Sequence, residues 1–294
     1  MARGGAGGRR PAPYRAAYPN EAGGHPEGGE RVVVFGRRPI FPDLMVTPPL
    51  LDPSADALFL DFDGTLVGFS DDPAAVRIEP AILDVLTSLQ SRLSQAFAVV
   101  SGRRIADLDR FLAPLAFIAA GVHGLEQRAE PGGTVRSLAG PAALDRIREA
   151  LRPGLAAAPG LELEDKGSAL VLHSRRHPEL GPLAQDLMRL AVGGETNFVV
   201  MHGKDIVEVH LAGMDKGRAV EIFCASAPFV GRRPIYIGDD ATDEFALRVV
   251  RRAGGVSIKV GAGPSDAEFR LGDVPDVHRW LMASNAVSRV GRAV

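Results

Sequence analysis

What most restricts the folds open to this chain is a series of short apolar runs, each closing on a polar cluster. The first is Ala57-Leu58-Phe59-Leu60-Asp61-Phe62, and others span 96–100, 115–120 and 235–237. Runs that are apolar on both faces suit strands buried between two layers, as in a parallel sheet. Between them, apolar residues fall at helical spacing. Residues 80–93 place Ile82, Leu83, Leu86 and Leu89 on one face behind a proline suited to a first turn, and 105–111 follows the second run. Strand, helix, strand, helix, strand predicts an α/β fold with a doubly wound parallel sheet. In such sheets the loops after the strand C-termini build the site.

After Gly140 the rhythm changes. A helix is predicted at 141–151, strand-like stretches at 161–164 and 169–173, a helix near 180–190, and strands at 197–201 and 205–210. Helix, two strands, helix, two strands describes a small α+β unit with an antiparallel sheet. Past Gly213 the α/β rhythm resumes, with helices at 216–225 and 243–252, a strand at 255–260 and a last helix near 277–286. The expected organisation is a core from 51–138 and 214–294, interrupted by an inserted unit at 139–213. Residues 1–50 hold 9 of the 34 glycines and 8 of the 22 prolines, which reads as a flexible tail.

That tail carries 7 arginines against 4 acids, so a net charge of −2 for the whole chain becomes −5 for the remainder. A net-acidic globule with few aromatics argues against nucleic acid as a partner. No window approaches the ~18 apolar residues that span a bilayer, and no apolar signal core opens the chain. Cys224 is the only cysteine, leaving no internal disulfide and no thiolate metal site. The expectation is a soluble, cytoplasmic protein without membrane association.

The chemistry concentrates where the runs stop. Asp61-Phe62-Asp63-Gly64-Thr65 puts two carboxylates around a glycine-assisted turn, able to approach one small ligand. Asp61 would attack a phosphoryl group, with a divalent cation offsetting the charge, while Asp63 protonates the leaving oxygen and later takes a proton from water. A turn in which both acids merely cap the next segment is the plainer alternative. Ser101 ends the second run and offers a hydroxyl for a phosphate oxygen, although Ser-Gly-Arg alone is more often a helix cap. Lys216 opens a helix and could pair with both phosphate and nucleophile. Gly238-Asp239-Asp240-Ala241-Thr242-Asp243-Glu244 gathers hard oxygen ligands with no His or Cys nearby, which suits Mg²⁺.

These four stations, Asp61-x-Asp63-Gly64-Thr65, Ser101, Lys216 and Gly238-Asp239-Asp240-x-x-Asp243, resemble in order and placement the haloacid-dehalogenase-like (HAD) phosphatases. The resemblance implies a HAD-like Rossmannoid core, with Asp61 as nucleophile and Asp63 as general acid and base. It also implies Mg²⁺ held by the Asp61 side chain, the Asp63 main-chain carbonyl and Asp239, with Asp240 and Asp243 supporting these ligands from behind. The insertion corresponds to what that superfamily calls a cap, which closes over the site and selects the substrate.

A finer resemblance is to the trehalose-6-phosphate phosphatases. It rests on Ser101-Gly102-Arg103, Gly121-Val122-His123-Gly124-Leu125-Glu126, Glu164-Asp165-Lys166-Gly167, His173-Ser174-Arg175, Gly203-Lys204 with Glu208, Asp215-Lys216-Gly217 and the longer acidic station. It implies trehalose 6-phosphate as substrate, gripped by Lys166, Arg175, Lys204 and Glu208, with His123 near the phosphate or adjoining sugar and Arg103 among the substrate contacts. A trehalose-phosphate synthase is the implied functional partner. The cap residues also read without the family: polar long chains on one face of Leu- and Val-rich strands suit a polyhydroxylated ligand, or equally a solvated outer face. Where many relatives continue the last cap strand as Glu-Ile-Arg-Pro, this chain has Glu208-Val209-His210-Leu211. Two alternatives stay open: a phosphatase for another sugar phosphate, and a catalytically silent sugar-phosphate sensor or synthase partner.

Overall fold

The computed structural model describes residues 47–68, 76–138, 141–203 and 205–287. The expected tail up to residue 46 lies outside them. In chain order the first half contains β1 (Asp56–Leu60), α1 (Pro80–Arg92), β2 (Phe97–Val100), α2 (Ile105–Leu112), β3 (Ile118–Gly121), β4 (Glu126–Arg128) and β5 (Arg136–Ser137). Next come α3 (Pro141–Ala157), β6 (Glu162–Asp165), β7 (Ala169–His173), α4 (Gly181–Val192), β8 (Phe198–Gly203) and β9 (Ile206–Leu211). The last part holds α5 (Lys216–Cys224), β10 (Arg233–Gly238), α6 (Asp243–Arg252), β11 (Val256–Val260), β12 (Phe269–Leu271) and α7 (Val274–Val287).

Two sheets result. The larger runs β12-β11-β10-β1-β2-β3-β4-β5. From β12 to β3 every pairing is parallel, whereas β4 and β5 add antiparallel. The sheet is therefore parallel through six strands, as the apolar runs predict, with two short antiparallel strands added at one edge. Strands β4, β5 and β12 escape a periodicity search because each is two or three residues long, and β4 is Glu-Gln-Arg. Arg128 of β4 is buried at that edge, its guanidinium paired with both Asp109 oxygens at 2.7 and 2.8 Å and lying over Phe117. Within the parallel part, Leu60 is level with Ile237 on one side and Val99 on the other, so Asp61, Ser101 and Asp239 emerge at one edge.

The second sheet is antiparallel throughout, in the order β6-β7-β9-β8. Leu170, Leu172, Val207 and Val209 on one face pack with Leu144, Ile147 and Leu151 of α3 and Ala184 and Met188 of α4. Glu164, Val171, Glu208 and Met201 form one cross-strand row on the other face. Helix α3 runs beyond its expected end at Leu151, carrying Pro153 inside, and Leu155 extends the packed stripe one turn further. The missing proline N–H removes one helix bond, and continued burial offsets that loss.

Packing at the start of the described chain also begins earlier than residue 51. Pro48 is buried, Trp280 donates to the Pro49 carbonyl at 3.2 Å, and the Leu51 amide donates to Ser284 Oγ. Among the described residues no helix is long and apolar enough to cross a membrane.

Candidate active site

Asp61 follows β1 directly, its amide donating to the Ile237 carbonyl at 3.0 Å, which continues the sheet ladder one residue past the strand. A tight turn then reverses the chain: the Leu66 amide donates to Phe62 O at 2.8 Å and the Gly64 amide to Val67 O at 2.7 Å. Gly64 has φ +74°, and a Cβ there would stand 2.2 Å from Asp239 Oδ2. Only glycine allows the first acidic turn to sit against the second.

Lys216 is the first residue of α5, whose N-cap Asp215 accepts from the Arg218 amide at 2.7 Å. The lysine points inward, with its side chain 2% exposed, and donates to Asp61 Oδ1 at 2.9 Å and Asp243 Oδ1 at 2.7 Å. Asp243 is the hub of the acidic loop. Tyr236 donates to its Oδ1 at 2.6 Å, and the amides of Asp239 and Asp240 donate to its Oδ2, each at 3.0 Å. Asp240 in turn accepts from the Thr242 and Asp243 amides at the start of α6. Lys259, on β11, donates to the Asp239 main-chain carbonyl.

The electrostatics follow from crowding four carboxylates around one ammonium. Burial works against the Lys216 charge, but Asp243, Asp61 and Asp240 outweigh it and hold the amine protonated well above its usual range. Burial and the Asp243 charge push Asp61 up, opposed by Lys216. Asp239 is raised to about 7 by burial and by the charges of Asp243 and Asp240. Against partial desolvation, Asp240, its side chain 46% exposed, is held well below the carboxylate range by Lys216 and its hydrogen bonds. Lys216 and Lys259 offset the Asp239 charge only in part, and among the described residues none forms an ion pair with its carboxylate.

Asp61, Asp239 and Asp243 each offer an oxygen within 4.8 Å of the others. Asp239 Oδ1 is buried without a hydrogen-bond partner. An all-oxygen donor set with an orphaned acceptor and incompletely compensated negative charge fits a hard divalent cation. The Asp63 side chain is not in this group. It turns to Arg103, whose Nε and Nη2 reach its two oxygens at 2.6 Å each. Arg103, expected to touch substrate, is thus engaged by an acid forty residues earlier.

Ser101 directly follows β2 and is buried, its Oγ accepting from the Arg103 amide at 3.2 Å, which leaves the hydroxyl proton to donate. His123 lies alongside in the left-handed region (φ +53°), and a Cβ on Gly102 would come within 2.7 Å of its ring. Burial pushes His123 down to about 4, so the ring is neutral near pH 7. Its Nε2 is 3.8 Å from Glu208 Oε1, and Lys166 Nζ joins Glu208 Oε2 at 3.2 Å to the Gly102 carbonyl at 3.3 Å. Among the described residues His123 Nδ1, Glu208 Oε1 and Thr65 Oγ1 are buried without a hydrogen-bond partner.

The structure thus brings Lys166, Glu208 and His123 together where the second sheet meets the loops after β2 and β3. Arg175 is exposed and takes no part in these contacts, and Lys204 lies outside the described residues. His173 shares the Glu208 face but pairs with Glu164 at 2.8 Å. Sequence reasoning did not find Tyr236, Lys259 or the role of Glu126. Tyr236 reads as filler in an apolar run, and a lysine inside a strand gives no local signal. Glu126 stands in a quoted motif, yet only the structure reveals that it accepts from the Ile105 amide at 2.8 Å and caps α2 from twenty-one residues away.

The sequence profile of a family described as Trehalose-phosphatase matches residues 59–275. The trehalose-6-phosphate phosphatase of Escherichia coli (strain K12) is 39% identical over 226 residues, covering 76% of this chain and 85% of that protein. A probable trehalose-phosphate phosphatase of Sinorhizobium fredii is 38% identical over 237 residues, 80% of this chain and 89% of its own length. Among solved structures, that of a trehalose-6-phosphate phosphatase related protein superposes with a TM-score of 0.65 at 26% identity, over 80% of this chain and 100% of the other. Matched by that family profile over residues 59–275 and 39% identical to the E. coli protein over 85% of its length, this chain belongs to the trehalose-phosphatase family.

Proposed function

We propose that this protein hydrolyses trehalose 6-phosphate to trehalose and inorganic phosphate. The observation that carries the reading is the buried Lys216 bridging Asp61 and Asp243, at the edge that also holds Ser101 and Asp239. Asp61 Oδ forms a bond to phosphorus while the bond to the sugar oxygen breaks, and Asp63 passes a proton to that oxygen. Water then attacks the aspartyl-phosphate, its proton goes to Asp63, and phosphate leaves Asp61. Lys216 orients Asp61 and favours its ionised form against burial and the Asp243 charge, and Ser101 donates to a phosphate oxygen. Asp61, Asp239 and the Asp63 main-chain carbonyl would hold Mg²⁺, which when bound supplies positive charge against the phosphate and the carboxylates. Asp243, its oxygens engaged by Lys216, Tyr236 and two amides, fixes Asp239 rather than ligating.

The unpartnered Glu208 Oε1 and His123 Nδ1 support recognition of sugar hydroxyls, since each is a buried polar atom whose desolvation a ligand would relieve. A different sugar phosphate is the second reading. It is favoured by His210, on the Glu208 face, whose ring contacts Leu211 O at 2.9 Å and Met201 Sδ at 3.1 Å where many relatives carry arginine. The lone Cys224 supports a cytoplasmic location, and the substrate's chemistry supports pairing with a trehalose-phosphate synthase. Phosphate release from a panel of sugar phosphates, with Mg²⁺ and with chelator, tests the reading. Trehalose 6-phosphate is expected to be turned over best, only with Mg²⁺, and Asp61→Asn to release none while keeping its circular-dichroism spectrum. Comparable turnover by Asp61→Asn, or preference for another sugar, refutes it.

A further inference from the structure

Asp63 and Arg103 form an ion pair whose two side chains are framed to different degrees. The guanidinium meets both Asp63 oxygens at 2.6 Å and lies over the rings of Phe62 and Phe111, 5.4 and 4.9 Å from their centroids. Those rings stack on each other at 5.7 Å. The Arg103 backbone is tied at both ends: its amide donates to Ser101 Oγ, and its carbonyl accepts from the Val122 amide at 2.9 Å. Asp63 is bridged to Val67 through its main chain, but among the described residues its side chain is held by Arg103 alone. Its side chain is 30% exposed against 17% for the arginine, and it sits on the turn that Gly64 reverses. A planar fork that grips both oxygens is directional, so the carboxylate it holds has no edge left to turn toward a leaving group.

We infer that Arg103 is a positioning residue for Asp63: it holds the carboxylate at a fixed resting place beside the nucleophile, which Asp63 leaves to protonate the departing oxygen and regains once the proton is delivered. The inference rests on the phosphatase reading. Both Asp63 oxygens accept from the guanidinium at rest, so Asp63 takes up a proton from solvent as it leaves; the Asp61–phosphorus bond then forms, the phosphorus–oxygen bond to the leaving group breaks, and that proton ends on the leaving oxygen. Arg103 touches neither phosphorus nor the leaving group. It sets where Asp63 starts and returns.

The test compares Arg103→Met and Arg103→Lys with the unaltered protein on aryl phosphate monoesters of similar size, whose phenols range from strongly to weakly acidic. The measure is kcat/KM, which covers binding through the first phosphoryl transfer. A strongly acidic phenol departs without a proton, and a weakly acidic one needs it. Arg103→Met is expected to lose about tenfold or more on the weakly acidic esters, a part of the roughly 10²–10⁴-fold that a general acid contributes, and under about threefold on the most acidic. Arg103→Lys, which keeps the charge but not the fork, is expected to fall between. The same factor across the series, an unchanged or shallower slope, or a rise in KM alone overturns the inference. If the Met variant fails to fold by circular dichroism, the Lys variant carries the same comparison. An unaltered protein that cleaves no phosphate monoester refutes the phosphatase reading itself, whereas normal turnover with an unchanged slope in the variants refutes the Arg103 inference alone.

Discussion

Lys216→Met separates the stabilising and catalytic parts of the buried charge cluster. In the unaltered protein one ammonium satisfies Asp61 at 2.9 Å and Asp243 at 2.7 Å, with Asp240 further off at 3.8 Å. Removing it leaves two almost fully buried carboxylates without their cation, a change that typically costs about 3–5 kcal/mol. The loss has a ceiling, because a stranded carboxylate can take up a proton. From an ordinary value of 3.8, protonation at pH 7 costs about 4 kcal/mol per group, and at pH 5 under about 2 kcal/mol. The sign follows. In the variant these acids titrate higher folded than unfolded, so their stability is present at low pH and lost as pH rises. In the unaltered protein Lys216 titrates above its unfolded value, so its contribution holds throughout this range and fades only in strong alkali. Urea unfolding in chelator should give a difference of about 3–5 kcal/mol at pH 7, shrinking by about 2 kcal/mol or more by pH 5. A difference under about 1 kcal/mol, or one that grows as pH falls, refutes the view that Lys216 neutralises this cluster.

Two further outcomes follow from the same geometry. In metal-free protein Asp239→Asn should be more stable than the unaltered chain at pH 8 by about 2 kcal/mol, after allowance for partial solvent screening, and equal to it near pH 4. Asp239 titrates near 7 in the folded state and so loses its contribution as pH rises through that value, whereas calorimetry on the same variant should find Mg²⁺ binding abolished. Glu208→Ala should lower kcat/KM for trehalose 6-phosphate by about a hundredfold, the scale of one lost charged hydrogen bond, and leave a small aryl phosphate within about threefold. Equal losses on the two substrates would make Glu208 a structural residue.

The order of elements and the place of each chemical station were legible in the sequence because both are local signals. A buried strand writes itself as a short apolar run, and a loop after it as the polar cluster that ends the run, so Asp61, Ser101, Lys216 and Asp239 could be assigned to strand and helix ends. The second sheet was equally legible from its alternating pattern, since one face packs on α3 and α4 and the other does not. Short polar edge strands carry no such signal, and β4, β5 and β12 became visible only through their pairing partners.

Partner choice is what the tertiary structure alone decided. Lys216 meets Asp61 across 155 residues, Arg103 meets Asp63 across 40, and Glu126 caps α2 across 21. Residue type made each of these side chains a candidate for something, a phosphate grip in the case of Arg103. Which neighbour it received depended on how the sheet order placed β1, β2, β3 and β10 side by side, and on aromatic rings and backbone bonds that fix one rotamer. Amino-acid pattern encodes where the chain buries itself, because burial is a property of each residue in turn. Hydrogen-bond partnership is a property of pairs, and pairs exist only after the sheet has brought distant segments together.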